Sequence, residues 1–196
     1  MLLKLAFAAL GVVAVLYFVI VMQPATFRIA RSITIAAPED VIFSQLDDLH
    51  RWSRWNAFEK DDASITVTHT GAPSGVGASY HFRGQRAGEG RMTITERELD
   101  RRIAVRADFI KPLPATNRIE FTLEPNERGV DVTWAMTGSN TFAGKAVGLA
   151  FNLEKMIGGQ FQKGLRDLKE IAEHEARVRW ENAPPSPSTQ IGTRVV

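Results

Sequence analysis

The chain has 196 residues, of which 44% are hydrophobic, so it can hold one membrane or targeting segment and one domain with a proper core. Its formal net charge is only +2, and basic residues are interleaved with acidic ones, which argues against nucleic acid as a partner. It contains no cysteine, which excludes disulfides, thiolate metal sites and a cysteine nucleophile.

The amino-terminal segment is apolar. Leu5 to Met22 form an uncharged run of about 18 residues, long enough to cross a hydrocarbon core as a helix. A cleavable signal peptide is the alternative, but its apolar region is usually shorter, and no clean small-residue cleavage site precedes Gln23 and Pro24. We therefore predict an uncleaved membrane anchor over residues 1–24.

The charges flanking this run bear on its orientation. Lys4 and the amino terminus lie on one side, and Arg28 and Arg31 lie on the other, so the positive-inside rule gives no strong answer. A short basic tail before a single span favours a cytoplasmic amino terminus. The expectation is a single-pass protein of the bacterial inner membrane with its soluble domain in the periplasm.

A strand and two short helices follow the anchor. Residues 27–36 alternate in polarity, with Ile29, Ile33 and Ile35 on one face, which indicates a strand. Pro38, followed by two acidic residues, is typical of a helix start. Residues 50–58 are aromatic and favour a second helical turn that runs into a loop.

From residue 64 onward the hydrophobic period becomes two. Six segments alternate in this way, with Gly- and Pro-containing turns between them, so we predict an antiparallel meander with one wet and one buried face. The residues predicted to face inward are Ile65, Val67, Tyr80, Phe82, Met92, Ile94, Ile103, Val105, Ile119, Phe121, Leu123, Val130, Val132, Trp134 and Met136.

The longest amphipathic pattern lies between Thr141 and about Trp180 and predicts a long helix that covers the sheet. Its apolar stripe is Leu149, Leu153, Met156, Phe161, Leu165, Leu168 and Ile171. Gly158 and Gly159 interrupt it, and either close packing with a mild kink or room for a ligand beneath the helix would explain them. Residues 182–196 are rich in proline and serine and are predicted to be a disordered tail.

The order of these segments resembles the helix-grip fold of the START/Bet v 1-like superfamily, and in particular the bacterial polyketide cyclase/dehydrase or SRPBCC group. The matching stretches are RSITIAAPEDVIFSQLDDLHRWSRWNAF, GEGRMTITERELDRRIAVR, FTLEPNERGVDVTWAMTG and GGQFQKGLRDLKEIAE. The resemblance implies an α+β domain over residues 27–181, in which a curved antiparallel sheet of about seven strands wraps a long carboxy-terminal helix. It also implies an apolar cavity between sheet and helix, which relatives use to hold lipids, sterols or polyketides.

No catalytic or metal-binding pattern is present. The glycines between residues 71 and 77 lack the lysine of a phosphate-binding loop, and there is no G-x-S-x-G motif. The histidines His50, His69, His81 and His174 show no metal-ligand spacing. Carboxylates fall on the wet face of strands or, as Asp47 and Asp48 do, beside arginines at a helix end. The family has no universal catalytic residue to transfer, so we predict no catalytic residue, cofactor or metal.

An aromatic and methionine set is expected to lie between sheet and helix. The same residues would describe either a packed core or a ligand cavity, and the resemblance favours the cavity. The predicted cavity residues are Trp55, Phe58, Phe82, Met92, Phe109, Phe121, Trp134, Met136, Phe142, Met156 and Phe161. Trp52 and Trp55, with Arg51 and Arg54, raise the further hypothesis of a loop lying on the bilayer.

These observations predict a membrane-anchored protein that binds an apolar small molecule or lipid. The first alternative is an enzyme of the same fold, such as an aromatase/cyclase or hydrolase, which needs a polar residue buried among the apolar lining. The second alternative is an envelope protein-interaction module with a filled core. No oligomeric state follows from the sequence.

Overall fold

A computed structural model describes residues 1–150 and 152–183, which form one antiparallel sheet with helices on one face. The helices are α1 (Leu2–Met22), α2 (Glu39–Asp47), a 3₁₀ helix (Leu49–Arg54), α3 (Ala57–Lys60), α4 (Phe142–Ala150) and α5 (Leu153–Glu181). The strands are β1 (Thr26–Ile35), β2 (Thr66–Gly71), β3 (Ala78–Gly84), β4 (Gly88–Glu98), β5 (Arg102–Lys111), β6 (Ala115–Asn126) and β7 (Gly129–Ser139).

The sheet has the strand order β1-β7-β6-β5-β4-β3-β2 in the described residues. Strands β2 to β7 form a meander, and β1 pairs antiparallel with β7, so the first strand joins the last. The residues predicted to face inward are buried along β3 to β7, because one face of the sheet packs on helices while the other faces water. The predicted α+β helix-grip architecture is confirmed.

Helix α5 packs its apolar stripe on this inner face. Its buried positions are Phe161, Leu165, Leu168, Ala172 and Ala176, which repeat every three or four residues. Polar side chains hold the same helix to the end of β1. The Lys169 ammonium donates to the carbonyl of Thr34 (2.7 Å), and the Glu173 carboxylate accepts from the amide of Ala36 (2.8 Å).

The stretch predicted as one long helix contains two. Asn152 caps the start of α5, where its side-chain oxygen accepts a hydrogen bond from the amide of Lys155 (2.9 Å). With α5 beginning there, Ile157 packs against the core, and Met156 is 58% exposed instead of lying on the buried stripe. The side chains of Leu149 and Leu153 and the predicted tail from residue 184 onward lie outside the described residues.

The glycines of α5 have different surroundings, although the helix is continuous through them. Gly158 is buried against the guanidinium of Arg31, the end of a flexible side chain that would have to shift to admit a Cβ. Gly159 has no atom within 4 Å of the position that a Cβ would occupy. Gly164 lies against Trp134, where a Cβ would be 2.9 Å from the indole ring. Close packing against a buried indole therefore explains Gly164.

Helix α1 is long and apolar enough to cross a membrane, and none of the side chains described over Leu3–Met22 is buried. It touches α4, where Tyr17 and Phe142 have ring centroids 5.7 Å apart and the Lys145 ammonium donates to the carbonyl of Val21 (3.1 Å). Among the described residues, the core begins at Phe27 and Ile29 and includes no member of α1. A chain of residues 24–183 therefore retains the whole core.

The two glycines with opposite surroundings give a matched test of this packing. Gly159→Ala should raise the free energy of unfolding by up to about 1 kcal/mol, because alanine favours the helix and meets open space. Gly164→Ala should lower it by about 1–3 kcal/mol, because the new methyl group overpacks the contact with Trp134. Urea denaturation of residues 24–183 measures both, and the opposite ranking would contradict the packing described.

Candidate ligand-binding cavity

An apolar cavity of about 210 Å³ lies between the first turns of α5, the α3 region and the inner face of the sheet. Its apolar lining consists of Trp52, Phe58, Ile65, Tyr80, Phe82, Ala87, Met92, Phe109, Ile119, Trp134, Met136, Ile157 and Phe161. Its polar lining consists of Asn56, Glu59 and Arg86. A concave, mostly apolar space with a few polar groups is typical of a small-molecule site.

The structure places most of the predicted cavity residues on this wall. Seven line the cavity: Phe58, Phe82, Met92, Phe109, Trp134, Met136 and Phe161. Trp55 and Phe121 lie fully buried in the adjoining core and do not line it. Phe142 and Met156 also lie elsewhere, because Phe142 packs on Tyr17 of α1 and Met156 points outward from α5.

Stacked aromatic rings form the wall between the cavity and the core. Phe161 lies flat against Trp134, with centroids 4.2 Å apart and an interplanar angle of 11°. Trp55 meets Trp134 edge-on at 5.5 Å, and Phe58 meets Phe161 at 6.2 Å. Such pairs contribute about 0.5–1.5 kcal/mol each beyond the area that they bury. This wall is therefore a firmly packed boundary of the cavity.

Trp52 and Trp55 pack in the core and do not lie on the surface. They are 1% and 0% exposed, and their indole N–H groups donate to the carbonyls of Leu46 (3.0 Å) and Gln45 (3.2 Å). The hypothesis that these tryptophans lie against the bilayer is therefore wrong. Buried indoles need both an apolar environment and an acceptor, and the end of α2 supplies the acceptors.

A polar cluster of Asn56, Glu59 and Tyr80 interrupts the apolar wall. The Asn56 amide donates to the Glu59 carboxylate (3.0 Å), and its oxygen accepts from the amide of Phe58, which caps α3. Burial raises the pKa of Glu59, although hydrogen bonds from Asn56 and Tyr80 partly offset the shift. Burial also raises the pKa of the Tyr80 hydroxyl well above its ordinary value. The cavity wall thus contains one carboxyl group whose pKa lies above its ordinary value.

Sequence reasoning missed Glu59. The signal that could have found it is the Asn-x-x-Glu pattern of residues 56–59, since an acidic residue three positions after a cap often closes a capping box. That pattern predicts where a helix starts, but it does not indicate whether the glutamate side chain is buried. Only the packing of α3 beneath the sheet brings the carboxyl to the cavity wall.

The rim of the cavity is held by Asp62. Its carboxylate accepts hydrogen bonds from the backbone amides of Arg86 (2.8 Å) and Ala87 (2.9 Å), in the β3–β4 turn. Hydrogen bonds from Ser64 and from these amides lower the pKa of Asp62. The turn that borders the cavity is therefore pinned to the loop after α3.

Two other features lie away from this cavity. The rings of His50 and His69 stack with centroids 3.9 Å apart, and burial together with the charge of His50 lowers the pKa of His69. A wider polar groove of about 810 Å³ runs mainly over the outer face of the sheet, with Arg106 and Arg118 in its lining. In residues 1–150 and 152–183, no group of three or more His, Asp or Glu residues is arranged to hold a metal ion.

The family model for polyketide cyclase/dehydrase and lipid transport matches residues 26–173. The chain belongs to this family. Curated proteins give no significant match to the chain. The match covers β1 to most of α5, so the cavity and its polar cluster lie within the polyketide cyclase/dehydrase domain.

Solved structures share the fold of this polyketide cyclase/dehydrase domain at low identity. A protein from Chromobacterium violaceum is 18% identical with a TM-score of 0.54, and the match covers 77% of this chain and 99% of that chain. A protein of unknown function from Staphylococcus aureus is 6% identical with a TM-score of 0.59, over 79% and 98%. The di-domain ARO/CYC StfQ of the steffimycin biosynthetic pathway is 10% identical with a TM-score of 0.58, over 78% and 52%.

The half-buried carboxyl of Glu59 makes stability depend on pH. Its folded pKa is raised, so its contribution to stability is full below about pH 4.5 and is lost as the pH rises through the folded value. Glu59→Gln keeps the shape and removes the charge, so the variant should be more stable than the wild type at pH 7.5. That difference should vanish near pH 4.

Urea denaturation at the two pH values measures this effect. Glu124→Gln, an exposed glutamate on β6, is the control and should change stability at pH 7.5 by less than about 0.5 kcal/mol. If Glu59→Gln and the wild type were equally stable at pH 7.5, burial of the carboxyl would be disproved.

Proposed function

We propose that this protein is a membrane-anchored binding protein that holds a hydrophobic small molecule in the cavity between the sheet and α5. The observation that carries the proposal is the cavity beneath α5, whose wall is aromatic and aliphatic apart from three polar side chains. Removal of apolar ligand surface from water contributes about 25 cal/mol per Å², less the cost of ordering the ligand and the rim. The family description, which includes lipid transport, is consistent with such a role.

The size and polarity of the cavity narrow the class of ligand. Its volume of about 210 Å³ lies below the roughly 300–1,000 Å³ of pockets for drug-sized molecules, so it suits a compact ring system or one short chain. A two-chain lipid would require the rim to open. Glu59 and Asn56 are close enough to pair with one hydroxyl or carbonyl group. The proposed ligand is a compact apolar molecule with a single hydrogen-bonding end.

Helix α1 is proposed to be an uncleaved anchor, with the domain on the periplasmic side. Its length and hydropathy suit a membrane span, and it contributes nothing to the core, as expected of a segment whose solvent is lipid. A signal sequence meets the same description. The intact mass distinguishes the two, because an uncleaved chain isolated from membranes has the full 21.7 kDa.

Native mass spectrometry of residues 24–183 tests ligand binding. We expect the gently purified domain to retain a compact apolar molecule or to take one up from a membrane extract. Ile157→Trp should lower occupancy at least about tenfold, equivalent to ~1.4 kcal/mol, because the larger side chain fills the cavity at its rim. Ile171→Trp is the matched control, since Ile171 is also half-buried on α5 but lies outside the cavity.

A domain that is empty after purification and takes up nothing from the extract would overturn the binding proposal. The interaction module would then be the better function. Retention by the wild type and by both variants alike would place the ligand elsewhere on the protein.

The second candidate is acid–base catalysis on the bound molecule, and Glu59 is the observation that favours it. A carboxyl group with a raised pKa in an apolar site can exchange a proton with a ligand at neutral pH, and the Tyr80 hydroxyl lies beside it. The shared fold of StfQ supports this candidate by analogy only.

Whether the recovered ligand has been chemically converted distinguishes a binding protein from an acid–base catalyst. An enzyme should alter the ligand over time, and Glu59→Gln should still bind it but convert it about 10²–10⁴-fold more slowly. A binding protein should return the ligand unchanged from both the wild type and the variant. Mass spectrometry of the extracted ligand reads out both outcomes.

A further inference from the structure

The cavity occupies the end of the sheet from which the anchor helix leaves. Tyr80 and Met92 on the cavity wall pair with each other, and Met92 pairs in turn with Ala107. The same cross-strand row continues through β6 and β7 to Phe27, the second residue of β1. The opposite end of the sheet, around Ile35, is filled by core side chains. The open space is thus confined to the end nearest α1.

A short link keeps that end close to the membrane whenever α1 spans it. Only three residues, Gln23 to Ala25, separate the end of α1 at Met22 from the start of β1 at Thr26. The four Cα steps from Met22 to Thr26 reach at most roughly 14 Å. The β3–β4 and β5–β6 turns lie at the same end of the sheet, because β4 and β6 start there.

A groove runs from the end of α1 to Ile157 on the cavity wall. It has a volume of about 520 Å³ and runs past Gln23 at the end of α1, Lys145 on α4 and Asn152 before α5. Ile157 lines both this groove and the cavity, so a single side chain borders both spaces. A molecule that moves along the groove from the region beside α1 would have to pass Ile157 to enter the cavity.

The side chains around this end suit contact with lipid. Leu113 in the β5–β6 turn is 44% exposed, Met156 at the start of α5 is 58% exposed, and Phe58 at the rim is 37% exposed. Arg86 and Lys155 lie near these residues and form no ion pair with any residue that the structure describes. Apolar side chains beside cations match a bilayer surface that contains anionic lipid.

We infer that the cavity mouth faces the bilayer, with the β3–β4 turn, the β5–β6 turn and the start of α5 lying against a surface of anionic lipid. The inference rests on the proposed role of α1 as an anchor. An apolar ligand then passes between the bilayer and the cavity along the groove without crossing bulk water. The partner of this surface is the lipid bilayer itself.

Site-specific fluorescence quenching in the full chain tests the inference, and the absence of native cysteine makes each introduced thiol unique. A fluorescent label on Leu113→Cys reports whether the cavity mouth lies close to lipid. Leu99→Cys, in the β4–β5 turn, is its matched control, since Leu99 is also exposed but lies at the far end of the 11-residue strand β4, about 35 Å away. Val13→Cys, within α1, reports whether the helix is in the membrane.

The labelled chains are placed in vesicles of phosphatidylcholine and phosphatidylglycerol that carry a lipid-borne quencher. We expect quenching at Val13 and Leu113, with the label at Leu113 quenched at least threefold more than the label at Leu99. Quenching at Val13 with equal, low quenching at Leu113 and Leu99 would overturn the orientation while leaving the anchor intact. The absence of quenching at Val13 would overturn the anchor itself, and with it this inference.

Discussion

The flat contact between Phe161 and Trp134 decides where α5 crosses the sheet, and the rest of the domain depends on that position. Gly164, one turn later, allows the helix backbone to approach the same indole. Beyond this point α5 fills the concave face with leucine and alanine side chains. Before it, Ile157 lines the cavity between α5 and the sheet. The position of this contact therefore accounts both for the close packing under the later turns of α5 and for the cavity under its first turns.

The polar cluster in the cavity opposes stability. A carboxyl group on an apolar wall loses hydration on folding, and its hydrogen bonds with Asn56 and Tyr80 only partly compensate. A carboxyl group with a purely structural role would be better solvated at the protein surface, where the acidic side chains on the outer face of the sheet lie. Departures of this kind concentrate at functional sites, which is why Glu59 matters to both candidate functions. In the proposed function, the aromatic wall supplies affinity for the ligand, and the polar cluster supplies its orientation or, in the second candidate, acid–base chemistry.

The proposed anchor α1 and the domain are energetically separate but geometrically coupled. Because α1 contributes no core residue, the fold does not need the membrane, and the short link instead determines where the domain can sit. In the proposed function, the link holds the start of β1 within roughly 14 Å of the end of α1, and the nearby membrane raises the effective concentration of any ligand dissolved in it. Because the cavity lies at the end of the sheet nearest α1, a ligand dissolved in the membrane would have the shortest path to it.

The sequence by itself determined the strands, their inward parity, the amphipathic helix and the apolar segment at the amino terminus, because those features depend on periods of two and 3.6 residues that are local to the chain. Tertiary structure alone decided the rest. The exposure of Met156 follows from the start of α5 at Asn152, and the burial of Trp52 follows from an acceptor on α2. The carboxyl of Glu59 lines a cavity only because α3 packs under the sheet. Whether aromatic side chains fill a core or surround a space depends on distances between elements, which composition does not encode.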